Sequence, residues 1–242
     1  MSKKLNDVDL TKHIEKKSDY KKQLKKAQKE LLLLQQSVFE KNIPCVFVFE
    51  GWDAAGKGGA IKRITQKIDP RGFQVHPIAA PTEEEHNYHY LHRFWNRLPS
   101  EGQIALFDRS WFGRVLVERV EGFASNKEWM RAYEEMNQFE KLLHDDGHLI
   151  HKFWFHISKD EQHKRFLERQ QHYLKRWKIT DEDWRNRNKW EEYEVAVEDM
   201  LQKTDTPYAP WDIIEGNDKW HARIKTLNII IDKIKTHLIK SS

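Results

Sequence analysis

Apolar positions along the chain fall into short β-rich runs separated by stretches of helical period. Residues 43–49 read IPCVFVF, a compact run of β-formers that gives way to glycines and then to a helical pattern over 57–68. Further short runs at 74–79, 103–107, 148–157 and 211–214 predict four more strands. Between them the spacing predicts helices over 82–95, from the third strand to about His144, across 159–202, and over 219–238. Strands alternating with helices imply a parallel sheet covered on both faces. The reading is one α/β domain over 1–242 with a helical excursion at about 159–202. Ahead of the first strand, Leu24, Ala27, Leu31, Leu34 and Val38 recur at three- and four-residue steps, the period of one helical face. Residues 1–42 are thus a helical arm. It either packs that stripe on the body with its lysines in water, or docks a polyanion or partner subunit.

Composition narrows the class. The 242 residues include 10 Trp, 12 Phe and 7 Tyr, too much apolar bulk for a disordered chain. A lone cysteine, Cys45, excludes an internal disulfide framework and a thiol-rich zinc site. No apolar run approaches the roughly 18 residues of a membrane span, and the lysine-rich start lacks a signal-peptide core. These features predict a cytoplasmic protein with no membrane partner. Net charge is only +4, too little for wholesale coating of nucleic acid. The sum hides a +5 surplus over residues 1–42 and another +5 over 164–178.

The most specific local signal is Gly51-Trp-Asp-Ala-Ala-Gly56-Lys57-Gly58-Gly59, which matches the G-x-x-x-x-G-K of a phosphate-binding loop between strand and helix. Glycines let the backbone curl until successive N–H groups point at phosphate oxygens. The helix N-terminus adds partial positive charge, and Lys57 a full one. Gly51, Ala54, Ala55, Gly56, Lys57, Gly58 and Gly59 are accordingly the candidate phosphate cradle. Gly58 stands where a magnesium-binding Ser or Thr usually follows the lysine. Asp53 is the alternative hard ligand, or else it caps the following turn.

Asp108 ends the run IALFD, at the strand end where ligands gather in open parallel sheets. In phosphate-loop enzymes such an acid belongs to the metal site, so Asp53 and Asp108 are the candidate metal pair; a salt bridge is the plain alternative. Arg109 and Arg114 follow, suited to gripping phosphate oxygens bidentately. Between Lys164 and Lys178 six basic residues meet one acid, Glu168. Arg165, Arg169, Lys175 and Lys178 there suggest a basic lid over a phosphoryl-transfer site, against the alternative of a solvated charged face. His86, His89 and His92 share helical spacing, but a single stripe is not a convergent zinc site.

Together these segments resemble the polyphosphate kinase 2 family. EGWDAAGKGGAIKRIT at 50–65, DRSWFGRVLVERVEGF at 108–123, KRWKITDEDWRNR at 175–187 and TPYAPWDIIEGNDK at 206–219 carry the likeness, which spans roughly 20–240. The resemblance implies a thymidylate-kinase-like P-loop kinase, a three-layer α/β sandwich with a central parallel sheet and a helical lid. It implies reversible transfer of the terminal phosphoryl of inorganic polyphosphate to a nucleotide with magnesium, manganese being an alternative ion. Dimers or tetramers are implied too. In the family the aspartates matching Asp53 and Asp108 serve the metal or acceptor site. The residues matching Lys57, Arg109 and Arg114 handle phosphates. Gly113 and Ala80 depart from members with Asn and Lys there. The wording of EGWDAAGKGG, HPIAAPT and GRVLVERVEGF is nearer the AMP-phosphorylating branch than the ADP-phosphorylating one.

The expected reaction is therefore polyphosphate with AMP giving ADP, with ADP as a further acceptor giving ATP. The alternatives are a polyphosphate:ADP phosphotransferase forming ATP, an ATP-dependent nucleoside or nucleotide kinase using the same loop, and a silent polyanion-binding module. The last is disfavoured because pure binding gains nothing from acids set beside phosphate.

Overall fold

The structure is a computed structural model and describes residues 4–240, without the side chain of Lys178. Strands β1 (Cys45–Gly51), β2 (Phe73–Pro77), β3 (Ile104–Asp108), β4 (Leu149–His156) and β5 (Trp211–Glu215) form one sheet in the order β2-β3-β1-β4-β5. Every neighbouring pair is parallel. Central β1 and β4 read CVFVFEG and LIHKFWFH, and only Gly51 among them escapes full burial. Near-continuous apolar character is what strands covered on both faces require.

The helices are α1 (Lys17–Glu40), α2 (Lys57–Thr65), α3 (His92–Trp95), α4 (Val117–Val120), α5 (Asn126–Asp145), α6 (Lys159–Gln171), α7 (Asp181–Asn188), α8 (Trp190–Thr204) and α9 (Lys219–Lys240). Helices α1, α2 and α9 pack together, with α9 on β4 and β5, while α5 contacts α8 and β4. The arm's stripe is spent inside the molecule. Ala27, Leu31 and Val38 are buried, Tyr20 stacks on Trp220 of α9 at 5.4 Å, and Leu24 and Leu34 are half-buried.

Two helical expectations fail for local reasons. Residues 82–95 do not form one helix. Thr82 and Glu85 exchange capping hydrogen bonds around a single turn, and Tyr88 is extended at φ −116°. The Glu85 carboxylate is engaged by Arg93 and Arg97, so tertiary pairing folds the segment back as a loop. The long helix expected after β3 is broken as well. Gly122 turns left-handed at φ +74°, and Ser125 with Glu128 builds a capping box that starts α5 afresh.

One buried charge pair steadies the segment after β3. Lys152 of β4 donates to Glu140 of α5 at 2.5 Å and to the Thr204 carbonyl at 2.8 Å. Trp111 donates its indole N–H to the same carboxylate at 3.1 Å. Burial pushes the Glu140 carboxyl up and the Lys152 ammonium down. Breaking such a pair by removing one partner costs roughly 3–5 kcal/mol, and Trp111 would lose its anchor three residues past Asp108.

Candidate active site

At the end of β1 the chain turns at Gly51, where φ is +149° and a Cβ would sit 2.5 Å from the Phe155 carbonyl oxygen. Only glycine fits that approach. The loop then enters α2 at Lys57, with Gly56 as its N-cap, which sets the helix N-terminus beside the loop, while the N–H groups of Trp52 and Ala55 are spent on the carbonyls of Phe155 and Trp52. Lys57 folds back, donating to the carbonyls of Gly51 at 2.6 Å and Trp52 at 3.2 Å. Burial lowers the pKa of its ammonium, and the charge of Asp53 opposes that shift. To reach a phosphate, the ammonium exchanges these carbonyls for phosphate oxygens.

Neighbouring β3 brings Asp108 level with Phe49 of β1. Arg109 follows in the left-handed region at φ +66°, a conformation costing a non-glycine residue about 1 kcal/mol. Its N–H donates to the Phe49 carbonyl at 3.0 Å, and its guanidinium donates to Asp53 Oδ1 at 3.1 Å. Asn186 of α7 donates to Asp53 Oδ2 at 3.0 Å. The Asp108 carboxylate accepts no hydrogen bond among the described residues. Beneath the loop, buried Glu50 accepts from the Ser110 hydroxyl at 2.8 Å, and burial raises its pKa.

Two clefts open on either flank of the loop. The first runs past Ala54, Ala55 and Gly56 and is lined by Arg169, Lys175, Lys219 and Arg223. The second lies against Gly51, Trp52 and Asp53, with Arg109, Trp154 and Trp190. Trp52 and Trp190 stack at 3.8 Å with 13° between their planes. The Trp52 indole donates to His156 Nδ1 at 3.0 Å, and burial holds that histidine's pKa down to about 4.

The structure thus brings Asp53, Lys57, Asp108 and Arg109 to the ends of β1 and β3, and sets Arg169 and Lys175 beside the loop. Two expected residues are placed otherwise. Arg114 pairs with Glu118 at 3.0 Å and lies over the Tyr90 ring at 4.6 Å, lining neither cleft. Arg165, expected as a closing lid cation, lies in the wall of the first cleft at 3% exposure, with its Nη donors on backbone carbonyls and its Nε on Glu161. The Lys178 side chain lies outside the described residues. Sequence reasoning missed Glu50, Asn186, Arg223 and Trp190. Glu50 stood inside EGWDAAGKGG, and only the fold shows its side chain buried beside Ser110.

A phosphate loop after the central strand, an acid ending the adjacent strand and a helical segment folded over both define the P-loop kinase fold. The chain matches the family model described as Polyphosphate kinase 2 (PPK2) over residues 14–242, and it belongs to that family. It is 50% identical over 231 residues to a Pseudomonas aeruginosa protein named Polyphosphate:AMP phosphotransferase, covering 96% of this chain and 46% of that one. An Acinetobacter johnsonii protein of the same name is 52% identical over 218 residues, covering 90% and 45%. The chain therefore spans about half the length of these relatives. A solved chain from Pseudomonas aeruginosa superposes with TM-score 0.94 at 49% identity, covering 98% of this chain and 50% of that one. The crystal structure of Polyphosphate Kinase 2 from Arthrobacter aurescens gives 0.91 at 33%, covering 96% and 85%. Among the described residues no helix is long and apolar enough to cross a membrane.

Proposed function

We propose that this chain transfers the terminal phosphoryl of inorganic polyphosphate to AMP. The observation that carries this reading is the meeting of Asp53, Lys57, Asp108 and Arg109 at two adjacent strand ends beside a cleft lined by Arg169, Lys175, Lys219 and Arg223. A cationic cleft suits a polyanionic donor. The opposite flank offers apolar rings and Arg109, a setting for a nucleotide. AMP is favoured as acceptor because relatives named for AMP are 48–52% identical to the chain, against 41% for one named ADP-polyphosphate phosphotransferase.

In the transfer, a phosphate oxygen of AMP attacks the terminal phosphorus of the chain. The bond from that phosphorus to the bridging oxygen breaks, and the bridging oxygen leaves with the electron pair. The products are ADP and polyphosphate one unit shorter. The attacking oxygen is already ionised, so no general base is needed, and the site's work is positioning and charge neutralisation. The loop N–H groups and Lys57 hold the donor phosphate, and Arg109 meets charge on the moving phosphoryl.

The donor set fits magnesium. Asp53 and Asp108 supply hard oxygens, and such an ion is commonly held by one or two carboxylates plus substrate phosphates. No group of three or more His, Cys, Asp or Glu among the described residues forms a metal cage, so substrate phosphates would have to complete the ion's shell. Bound there, the ion would neutralise phosphate charge. Initial rates with polyphosphate as donor, magnesium present and ATP absent, test the reading. ADP formed from AMP faster than ATP from ADP is expected. No nucleotide phosphorylation under these conditions contradicts it.

A further inference from the structure

A loop that turns its N–H groups toward a phosphate must turn its carbonyls the other way. Those carbonyls are then buried and need donors of their own. Five successive carbonyls, from Gly51 to Ala55, are accounted for here. Lys57 takes that of Gly51 and shares that of Trp52 with the Ala55 N–H. The next three are held by one face of α6. Gln162 donates its side-chain amide to the Asp53 carbonyl at 3.2 Å. Arg165, one turn on, donates from Nη1 to the carbonyls of Ala54 and Ala55, both at 3.0 Å.

The rest of the Arg165 guanidinium is also committed. Nη2 donates to the carbonyls of Gly216 at 2.7 Å and Asn217 at 3.0 Å, in the turn between β5 and α9. Nε donates to Glu161 Oε1 at 2.6 Å. A guanidinium has five N–H groups, and each has a partner, so none is left for a phosphate. Arg165 stands in the wall of the first cleft and Gln162 in that of the second, with close packing behind them. A Cβ at Gly216 would come 2.8 Å from Ile157 Cγ2 and 3.2 Å from the Ala55 oxygen. Gln162 is 2% exposed, and its side-chain oxygen accepts from Arg187 of α7 at 3.3 Å.

We propose that Gln162 and Arg165 are positioning residues of the phosphate cradle: they hold three loop carbonyls outward so that the loop N–H groups not already spent on carbonyls face the donor phosphate, and their own donors stay on the loop rather than on the substrate. Lys57 must leave its two carbonyls to meet a phosphate, whereas the α6 pair stays in place. The loop keeps its shape while its lysine moves. The inference rests on the donor assignment under the proposed function, since it takes polyphosphate as the anion in the cradle.

The test measures binding of long-chain inorganic polyphosphate to wild-type protein, Arg165→Lys, Gln162→Leu and Arg169→Gln across a series of salt concentrations, with thermal unfolding of each. Lysine keeps the charge of Arg165 but has no planar fork to span four carbonyls. Arg165→Lys and Gln162→Leu are expected to bind about tenfold more weakly, through lost preorganisation. Their salt slope should equal that of wild type, because slope counts direct ionic contacts. Arg169→Gln should bind more weakly with a shallower slope. Affinity within about twofold of wild type in both α6 variants overturns the proposal, as does a changed slope in Gln162→Leu, which removes no charge. Should Arg165→Lys fail to fold, Gln162→Leu decides alone. Wild-type protein that binds polyphosphate but phosphorylates no AMP defeats the proposed reaction and leaves this comparison intact. Wild-type protein that binds no polyphosphate overturns both.

Discussion

The two flanks of the phosphate loop present opposite chemistry to the same few backbone atoms. On the Ala54–Gly56 side, Arg169, Lys175, Lys219 and Arg223 face a single carboxylate, Glu168. On the Gly51–Asp53 side the walls are indole and aliphatic, with Glu50, Asp53 and Glu182 as acids and Arg109 as the lining cation. A long polyanion gains from the first and is repelled by much of the second. A planar base with one phosphate suits the second better. The loop between them is where a phosphoryl would pass from one flank to the other.

The largest effect should come from the acid beside the loop rather than from either flank. Asp108→Asn preserves shape but removes the charge at the end of β3, and should lower turnover by about 100-fold or more, with the unfolding temperature nearly unchanged. Steady-state rates and a melting curve on the same preparation check it. Near-normal turnover would remove Asp108 from the chemistry.

Next come variants that act on one flank only. Arg223→Gln should raise the polyphosphate KM about tenfold through loss of one phosphate contact, leaving the AMP KM as it was. Trp190→Leu should do the reverse, raising the AMP KM, and should also cost about 2–4 kcal/mol of stability because Trp190 is buried against Trp52. If both variants raise the same KM, the flanks do not divide the substrates.

The legibility of these features in the sequence follows their range. The strands were readable because burial on both faces forces continuous apolar runs, as in IPCVFVF and QIALF. The phosphate loop was readable because its glycines and lysine are adjacent in the chain. Asp108 was readable from its place at a strand end. Arg165 was legible only as a charge in a basic run. Its commitment depends on the carbonyls of Ala54 and Gly216, which are 111 and 51 residues away. Residues 82–95 misled because capping and the Glu85–Arg97 pair outweigh helical period. Arg114 was legible as a guanidinium near Asp108, whereas its pairing with Glu118 and its place over Tyr90 depend on the fold.

The smallest expected effects concern pH. His156 is held at about 4 against an ordinary 6.5 because burial disfavours its charged form. The unfolded chain then binds its proton first, so this contribution to stability is complete above pH 6.5 and is lost as pH falls toward 4. Glu215 behaves similarly lower down. Burial opposes its charge, but hydrogen bonds from Lys225, Lys12 and His221 bring its pKa to about 2 against 4.5. Its contribution is complete above 4.5 and lost between 4.5 and 2. Stability against pH should flatten in the upper window for His156→Gln, which keeps an acceptor for Trp52, and in the lower window for Glu215→Gln. Unchanged curves would contradict these assignments.

Direct transfer across the loop requires both substrates to be bound at once, one on each flank. The most direct measurement is equilibrium binding of AMP to Asp108→Asn, slowed so that the complex persists, with and without saturating polyphosphate. Separate flanks predict an AMP affinity that polyphosphate leaves unchanged or tightens. Displacement of AMP by polyphosphate, with competitive dependence on its concentration, would contradict the account.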